Sequence, residues 1–443
     1  HCCSHSCHDK EMCIHTATGA FLCLRRSMLS APRRRNDQID RELEIIQRSY
    51  STDSNPIKHV IIDIPFKKES TITDSFCILP WIHLYLHTTG EIFPCCASDN
   101  SMPLGTLKTD SIHTIVHNEK FNNLRAKMIN GIWPKECSSC LNAEKSTGTS
   151  KRLKDNSAWN HIIDAVKSET NTDGKIDCFE IKSIDLRFSN VCNSKCRTCY
   201  SEYSSQIQQE NKNIFPDYSN IIVIDSDRRK NIVKQFNNKL DQLEEIYFAG
   251  GEPLLMAEHY DILNTLISKK NTRIKIRYNT NISTSLYYKD TNILNLWKSF
   301  TDVTLGLSID GYGKIYEYVR HGSKWNQVLS NIQKIQKECP HIKLFVLSTI
   351  SLLSAESVMT LQRNWHENNV LSIDRFKMLL VESSSEYQNQ FVPGAYDLKM
   401  LQSDHKKYLE KKIDKHCNWL QSVNAMQLCD DWQKVKEYMY SDD

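Results

Sequence analysis

Long apolar runs are missing from this chain. The most hydrophobic stretch, around Leu344–Leu353, is far shorter than the roughly 20 residues a bilayer-spanning helix needs, so no membrane segment is expected. A dominant charge is missing too: 56 Lys and Arg face 53 Asp and Glu, a net charge of +3, and such a surface sets up no field for nucleic acid or an acidic partner. Glycine (13) and proline (11) are sparse for 443 residues, which excludes a collagenous repeat and argues against wholesale disorder. A basic segment followed by an apolar one is not readable in the first 30 residues, so a cytoplasmic location is expected.

Cysteine is what the chain has in excess, with 17 residues. In a reducing compartment, clustered cysteines more often hold metal than form disulfides, so their spacing decides what they do. Residues 1–56 are expected to be an N-terminal extension, non-native or disordered, in which five Cys and four His within residues 1–27 show no helix or strand period. The chain opens on His1, and Met28 is an alternative initiator. A zinc knuckle from Cys2, Cys3, Cys7, Cys13 and Cys23 is conceivable, although their spacing matches no defined zinc pattern. The Arg33-Arg34-Arg35 run reads as a solvated basic stretch.

From residue 57 to 154 the chain reads as loop-rich, with short strands at Val60–Ile64 and Trp81–His87 and one helical pattern over Ser111–Asn130. A connecting helix over Asn156–Glu169 and a turn at Asn171–Gly174 mark a boundary. Beyond it, short β-branched runs alternate with amphipathic stretches, the pattern of a parallel sheet with crossover helices. Strands are expected at Ser183–Phe188, Glu244–Phe248, Arg273–Tyr278, Asp302–Ile309, Lys343–Ile350 and Arg375–Val381. Helices are expected at Arg228–Leu243, Ala257–Lys269, Tyr288–Ser299, Lys324–Glu338 and Ala355–Glu367, with one or two more over Asp397–Asp443. The fold class is α/β: a partial (β/α)6 barrel, whose chemistry belongs at the carboxyl ends of its strands.

Cys192, Cys196 and Cys199 follow the first of these strands in CxxxCxxC spacing. Three thiolates can hold three irons of a [4Fe–4S] cluster and leave the fourth open to a small molecule, whereas a structural site closes itself; an open zinc is the competing reading. With these cysteines in place, the chain resembles the radical S-adenosylmethionine (SAM) superfamily. Thr198 stands where that superfamily usually has an aromatic residue, so adenine packing passes to Tyr200 or another side chain. The resemblance implies a [4Fe–4S] cluster whose open iron chelates SAM, with electron transfer into the sulfonium releasing methionine and a 5′-deoxyadenosyl radical.

Later segments extend the resemblance. Gly250, Gly251 and Glu252 resemble the superfamily's GGE motif, which binds the amino group of SAM. Ser308 and Asp310, alternating to one side of the fourth strand, and Arg320 resemble the SxDG and RxGxxW stretches of its peptide-modifying branch, implying contacts to ribose and carboxylate. Asn281 resembles a further cofactor contact, though a capped turn fits it equally.

Upstream, Cys77 and Cys95 (C-x12-G-x4-C) and Cys137 and Cys140 (C-x2-C) form a second set that could close a zinc site or hold a fully ligated cluster, with Cys96 as an alternative to Cys95. This set resembles the Twitch domain, the short relative of the SPASM domain, which implies a second, auxiliary [4Fe–4S] cluster. Such domains usually follow the barrel; here the module precedes it. The resemblance divides the chain into the extension, a Cys-rich loop, strand and helix module (72–150), a linker helix (151–176), a radical SAM core (177–395) and C-terminal helices (396–443). It implies an enzyme that takes hydrogen from a peptide while the auxiliary cluster relays electrons, drawing on a flavodoxin or ferredoxin. Radical dehydrogenation or epimerisation of a sugar or alcohol is the alternative within enzymes. A zinc-binding adaptor is the alternative outside them.

Overall fold

The computed structural model describes residues 11–15, 21–25, 74–215, 218–219, 221–381 and 396–441. The chain divides into two units, 1–71 and 72–443. In the first, strands β1 (Glu11–His15) and β2 (Phe21–Arg25) form an antiparallel ribbon in a stretch whose sequence shows no strand period. The Val60–Ile64 strand and the proposed knuckle residues Cys2, Cys3 and Cys7 lie outside the described residues.

The second unit is built on a nine-stranded sheet. Its parallel part runs in sequence order through β6 (Ser183–Leu186), β7 (Glu245–Phe248), β8 (Lys275–Thr280), β11 (Asp302–Ser308), β12 (Lys343–Ile350) and β13 (Phe376–Leu380). Between β8 and β11, β9 (Tyr287–Tyr288) and β10 (Thr291–Asn292) form a small separate hairpin. Six parallel strands with intervening helices are the expected partial barrel.

Alternation sets the two faces apart. Ile276, Tyr278, Val303, Leu305, Leu307, Leu344 and Val346 point under the helices and are buried, while Arg277, Asn279, Thr304, Ser308 and Thr349 stand on the other face and are more exposed.

The upstream module does not stand apart from this sheet. Its strand β3 (His83–Leu86) pairs in parallel with β6, and β4 (Glu91–Phe93) and β5 (Gly105–Thr106) continue antiparallel beyond it. One apolar core runs from Phe76 to Met439.

Helix boundaries differ from expectation where a polar side chain claims a backbone donor. The Ser111–Asn130 pattern splits into Ile112–Val116 and Glu119–Ile129, because Asn118 accepts from Phe121 N at 2.9 Å and starts a new helix. Asn156–Glu169 becomes Lys151–Ala158, begun early by Ser150, whose Oγ accepts from Leu153 N at 3.2 Å, and Asn160–Ser168, parted at Trp159 without a side-chain cap. Tyr288–Ser299 shortens to Ile293–Trp297, since the β9–β10 hairpin turns at Lys289 (φ 51°) and Asn292 caps Leu294 N. The tail forms two helices, Ser403–Ser422 and Met426–Tyr440.

Two histidines are held neutral in the core. His259 Nε2 lies 2.7 Å from the Tyr278 hydroxyl, and His416 Nε2 lies 2.7 Å from Gln362 Oε1, which also accepts from Trp432 Nε1 at 2.9 Å. Burial lowers both pKa values to about 3, with the Arg363 cation adding to the effect at His416. In the unfolded chain each takes a proton near pH 6.5, so between there and about pH 3 the unfolded state binds more protons and stability falls as pH drops. We expect the urea midpoint to decline below pH 6.5, each histidine contributing roughly 1.4 kcal/mol per pH unit. His416→Gln should reduce that slope, and an unchanged slope would show that His416 protonation is not coupled to unfolding.

Candidate functional site

The residues after β6 leave the sheet as an irregular loop, and its shape is fixed by hydrogen bonds. Asn190 Nδ2 donates to Ser201 O (2.8 Å), Ser204 Oγ to Ser194 O (2.7 Å), and Lys195 N and Arg197 N to His321 O and Val319 O (both 2.8 Å). Thus Cys192, Cys196 and Cys199 are held from two sides, by the helix that follows them and by the residues around Arg320.

All three cysteines line one cavity of about 220 Å³ at the carboxyl ends of the strands. Gly250, Gly251, Glu252, Asn281, Ser308 and Arg320 line it as well, so residues from four strand-end loops converge. Of the expected site residues on this side, Asp310 and Tyr200 are absent from the wall. The strand ends at Ser308, and Asp310 turns inward, where its Oδ1 accepts from Thr349 N (2.7 Å) and its Oδ2 pairs with Arg320 Nε (2.8 Å). Asp310 therefore holds Arg320 in place from behind the wall, and Arg320 Nη1 reaches to 3.8 Å from Cys196 Sγ.

Glu252 is fully buried and does more bracing than the motif suggests. Thr280 Oγ1 (2.7 Å) and Leu254 N (3.2 Å) donate to Oε1, and Asn281 N donates to Oε2 (2.8 Å). A carboxylate has about four acceptor positions, so one remains for a ligand. Burial raises its pKa to about 7 in spite of these hydrogen bonds. Asn281 in turn places Nδ2 2.8 Å from Asn193 Oδ1 and 3.8 Å from Cys192 Sγ, tying the turn after β8 to the cysteine loop.

Thr198 lines the cavity and brings no ring. The rings on the wall belong to Tyr203 and Tyr247, and Tyr200 is not among the lining residues. Tyr203 lies with its hydroxyl 3.1 Å from His87 Nε2, and the Arg187 guanidinium sits 4.5 Å from the Tyr85 ring and 5.4 Å from that of Tyr203. Because Tyr85 and His87 come from β3 and its end, the upstream module supports one wall of this cavity. Sequence reading missed Arg187, Tyr203 and Tyr247. Alternation along β6 and β7 could have found Arg187 and Tyr247, which fall on the open face.

The donor set fits a cluster with one open iron. Three sulfurs and no fourth cysteine line the cavity. Burial pushes all three thiols up, Cys192 to about 12, so a cationic centre is what would let them ionise. Gly250 adopts φ +110°, and a Cβ on Gly251 would lie 2.1 Å from Val191 O.

In the upstream module, Cys77 precedes the short helix Leu79–Ile82, Cys95 follows β4, and Cys137 and Cys140 open the helix Ser138–Thr147. The four are near enough to feel each other's charge: Cys137 and Cys140 act on Cys77, Cys77 on Cys95, and Cys95 on Cys137. Burial raises the Cys77, Cys95 and Cys137 thiols, so this set too suits a cationic group. Cys96 is exposed and faces Asp185 and Lys151. Buried Arg152 braces the module, pairing with Glu144 (2.6 Å) and donating to Phe76 O (2.8 Å), which also accepts from Asn156 Nδ2 (2.8 Å). His83 and His87 are buried and bonded to Ser183 and to Thr89 and Tyr203, as expected of core histidines.

Comparison with known proteins follows the same division. Residues 186–358 match the radical SAM superfamily, and residues 77–141 match SPASM, an iron–sulfur cluster-binding domain. The chain thus carries a radical SAM domain over residues 186–358, preceded by an auxiliary SPASM/Twitch-type domain over residues 77–141. These domains imply a [4Fe–4S] cluster with SAM and an auxiliary iron–sulfur cluster.

Among solved structures, hexahistidine-tagged anSMEcpe with bound AdoMet is similar at 18% identity and a TM-score of 0.38, over 55% of this chain and 60% of that one. SuiB of Streptococcus suis bound to the precursor peptide SuiA is similar at 16% identity and a TM-score of 0.38, over 62% of this chain and 53% of that one. The match thus spans between half and two thirds of the length of either. No curated protein matches the chain significantly.

Gly251→Ala should push the Cys192 loop away, because its Cβ would meet rigid backbone at Val191. We expect reconstituted G251A to lose the iron of this site while keeping that of the upstream module. Full iron content with unchanged SAM affinity would contradict the packing argument.

Proposed function

We propose that the chain is a radical SAM enzyme that reductively cleaves SAM and abstracts hydrogen from a peptide, its auxiliary cluster relaying electrons. The observation that carries this reading is the convergence of Cys192, Cys196 and Cys199 with Gly251, Glu252, Asn281, Ser308 and Arg320 on one cavity. When bound, the cluster and SAM supply the reductive cleavage and the hydrogen abstraction. The chain's own residues orient and enclose them. Glu252 has one acceptor position for the amino group, Arg320 is set by Asp310 beside Cys196, and Ser308 stands at the wall for the ribose. The peptide assignment is supported by the similarity of the Ser308 to Trp325 stretch to the peptide-modifying branch. Cys77, Cys95, Cys137 and Cys140 are proposed to hold the auxiliary cluster, and the division at 72–150, 151–176, 177–395 and 396–443 is proposed for the domains. Among the described residues no helix is long and apolar enough to cross a membrane; a cytoplasmic enzyme served by a small electron-carrier protein fits the proposal.

Anaerobically reconstituted protein given dithionite and SAM should form 5′-deoxyadenosine. Replacing Cys192, Cys196 or Cys199 by Ala should abolish it, and unchanged production in all three variants would remove the assignment.

Cys137→Ala/Cys140→Ala should lower bound iron from about eight to about four per chain while SAM cleavage continues, since the SAM cluster has its own cysteines. Peptide turnover should be lost. Zinc at this site in the wild type, or full iron in the variant, would overturn the auxiliary-cluster reading.

A further inference from the structure

We propose that the surface formed by the helix Gly313–Val319, the turn 320–324 and the outer side of the cysteine loop is the docking site of a small acidic electron-carrier protein. This rests on the radical SAM reading above, because it concerns how an electron reaches Cys192, Cys196 and Cys199 from outside the chain.

The route inward is short. Lys195 N and Arg197 N, on either side of Cys196, donate to His321 O and Val319 O at 2.8 Å, so the turn after the helix is one hydrogen bond from the cysteine backbone. The Arg197 guanidinium also lies 5.4 Å from the Tyr318 ring. Tyr318 is 55% exposed and Ile315 is 45% exposed; three residues apart on one helix, they share a face and form an apolar centre.

The rim supplies the charge. Lys314 and Lys324 are exposed around Tyr318 and Ile315, with Arg197 beside them. The acids there are already engaged: Glu317 pairs with Lys314 (3.0 Å) and accepts from Trp325 N (3.0 Å), and Glu210 pairs with Lys195 (2.5 Å). Four cations, Lys195, Arg197, Lys314 and Lys324, against the two carboxylates of Glu210 and Glu317 leave the rim net positive on a chain whose total charge is only +3. An apolar centre inside a cationic border suits a partner that is steered by charge and released quickly, and electron-transfer encounters use small interfaces of this kind. The complementary partner is acidic. One electron leaves the carrier, which is oxidised by one electron, and enters the group held by the three cysteines; no bond or proton moves.

The test uses Lys314→Glu/Lys324→Glu in the reconstituted full chain, with reduced flavodoxin as the probe carrier and dithionite as a reductant that needs no docking. The variant should form 5′-deoxyadenosine with dithionite at a rate within about twofold of wild type. With limiting flavodoxin at low salt the rate should fall about tenfold, and added salt should narrow the gap by slowing the wild type. Lys407→Glu/Lys411→Glu, an equal charge change on the exposed side of the helix Ser403–Ser422, should leave the flavodoxin rate near wild type. Calorimetric titration with oxidised flavodoxin reads binding without turnover and should weaken only in the first variant. Equal flavodoxin rates and affinities in wild type and K314E/K324E, or an equal loss in the distant variant, would overturn the docking site. Failure of the wild type with dithionite would instead overturn the radical SAM reading on which the site rests.

Discussion

Strand β3 lies parallel to β6 over four pairs, His83 to Leu86 against Ser183 to Leu186, and the mouth of the barrel is built out from that seam. The ladder continues past β6, where Arg187 N donates to Leu86 O at 3.1 Å. Arg187 is thus delivered to the cavity with its guanidinium against Tyr85, while Asp185 pairs with it at 3.2 Å from the row below. Breaking the seam would expose a run of backbone donors and acceptors and strip Tyr203 of the His87 contact. The two cysteine sets are consequently carried by segments that leave one and the same sheet.

Around the cavity, buried carboxylates serve as braces. Asp310 spends its two oxygens on Thr349 N and Arg320, and Glu252 spends most of its capacity on Thr280, Leu254 N and Asn281 N. Asp310 takes its backbone donor from β12 and Glu252 takes donors from the end of β8, so each carries the joint between neighbouring strands past the last pair of the ladder. Leaving such donors buried and unpaired costs about 1–3 kcal/mol apiece, which is why removal of a brace is felt as misplacement as well as lost charge.

Much of this was legible in the sequence because it is local. The strand Lys343–Ile350 and the helix Ala355–Glu367 fall where their periodicity puts them, and the cysteine spacings mark both sets. What could not be read is set by distant partners. The pairing of β3 with β6 joins residues about a hundred positions apart, and nothing in His83-Leu84-Tyr85-Leu86 names its neighbour. The inward turn of Asp310 depends on Thr349 N, and the place of Tyr203 depends on His87. The breaks at Asn118 and Asn292 were in principle readable as caps, but a continuous apolar period hid them.

The seam also sets a timetable for biogenesis. A ribosome delivers β3 well before β6, its parallel neighbour, so the upstream module must wait with that edge open. The antiparallel strand β4, itself backed by β5, covers the other edge of β3 early, because both follow it closely in the chain. During this interval the nascent chain exposes one strand edge beside a set of unliganded thiols, the combination most exposed to mispairing and oxidation. Completion of β6 closes that edge, and with it the period in which the chain is vulnerable.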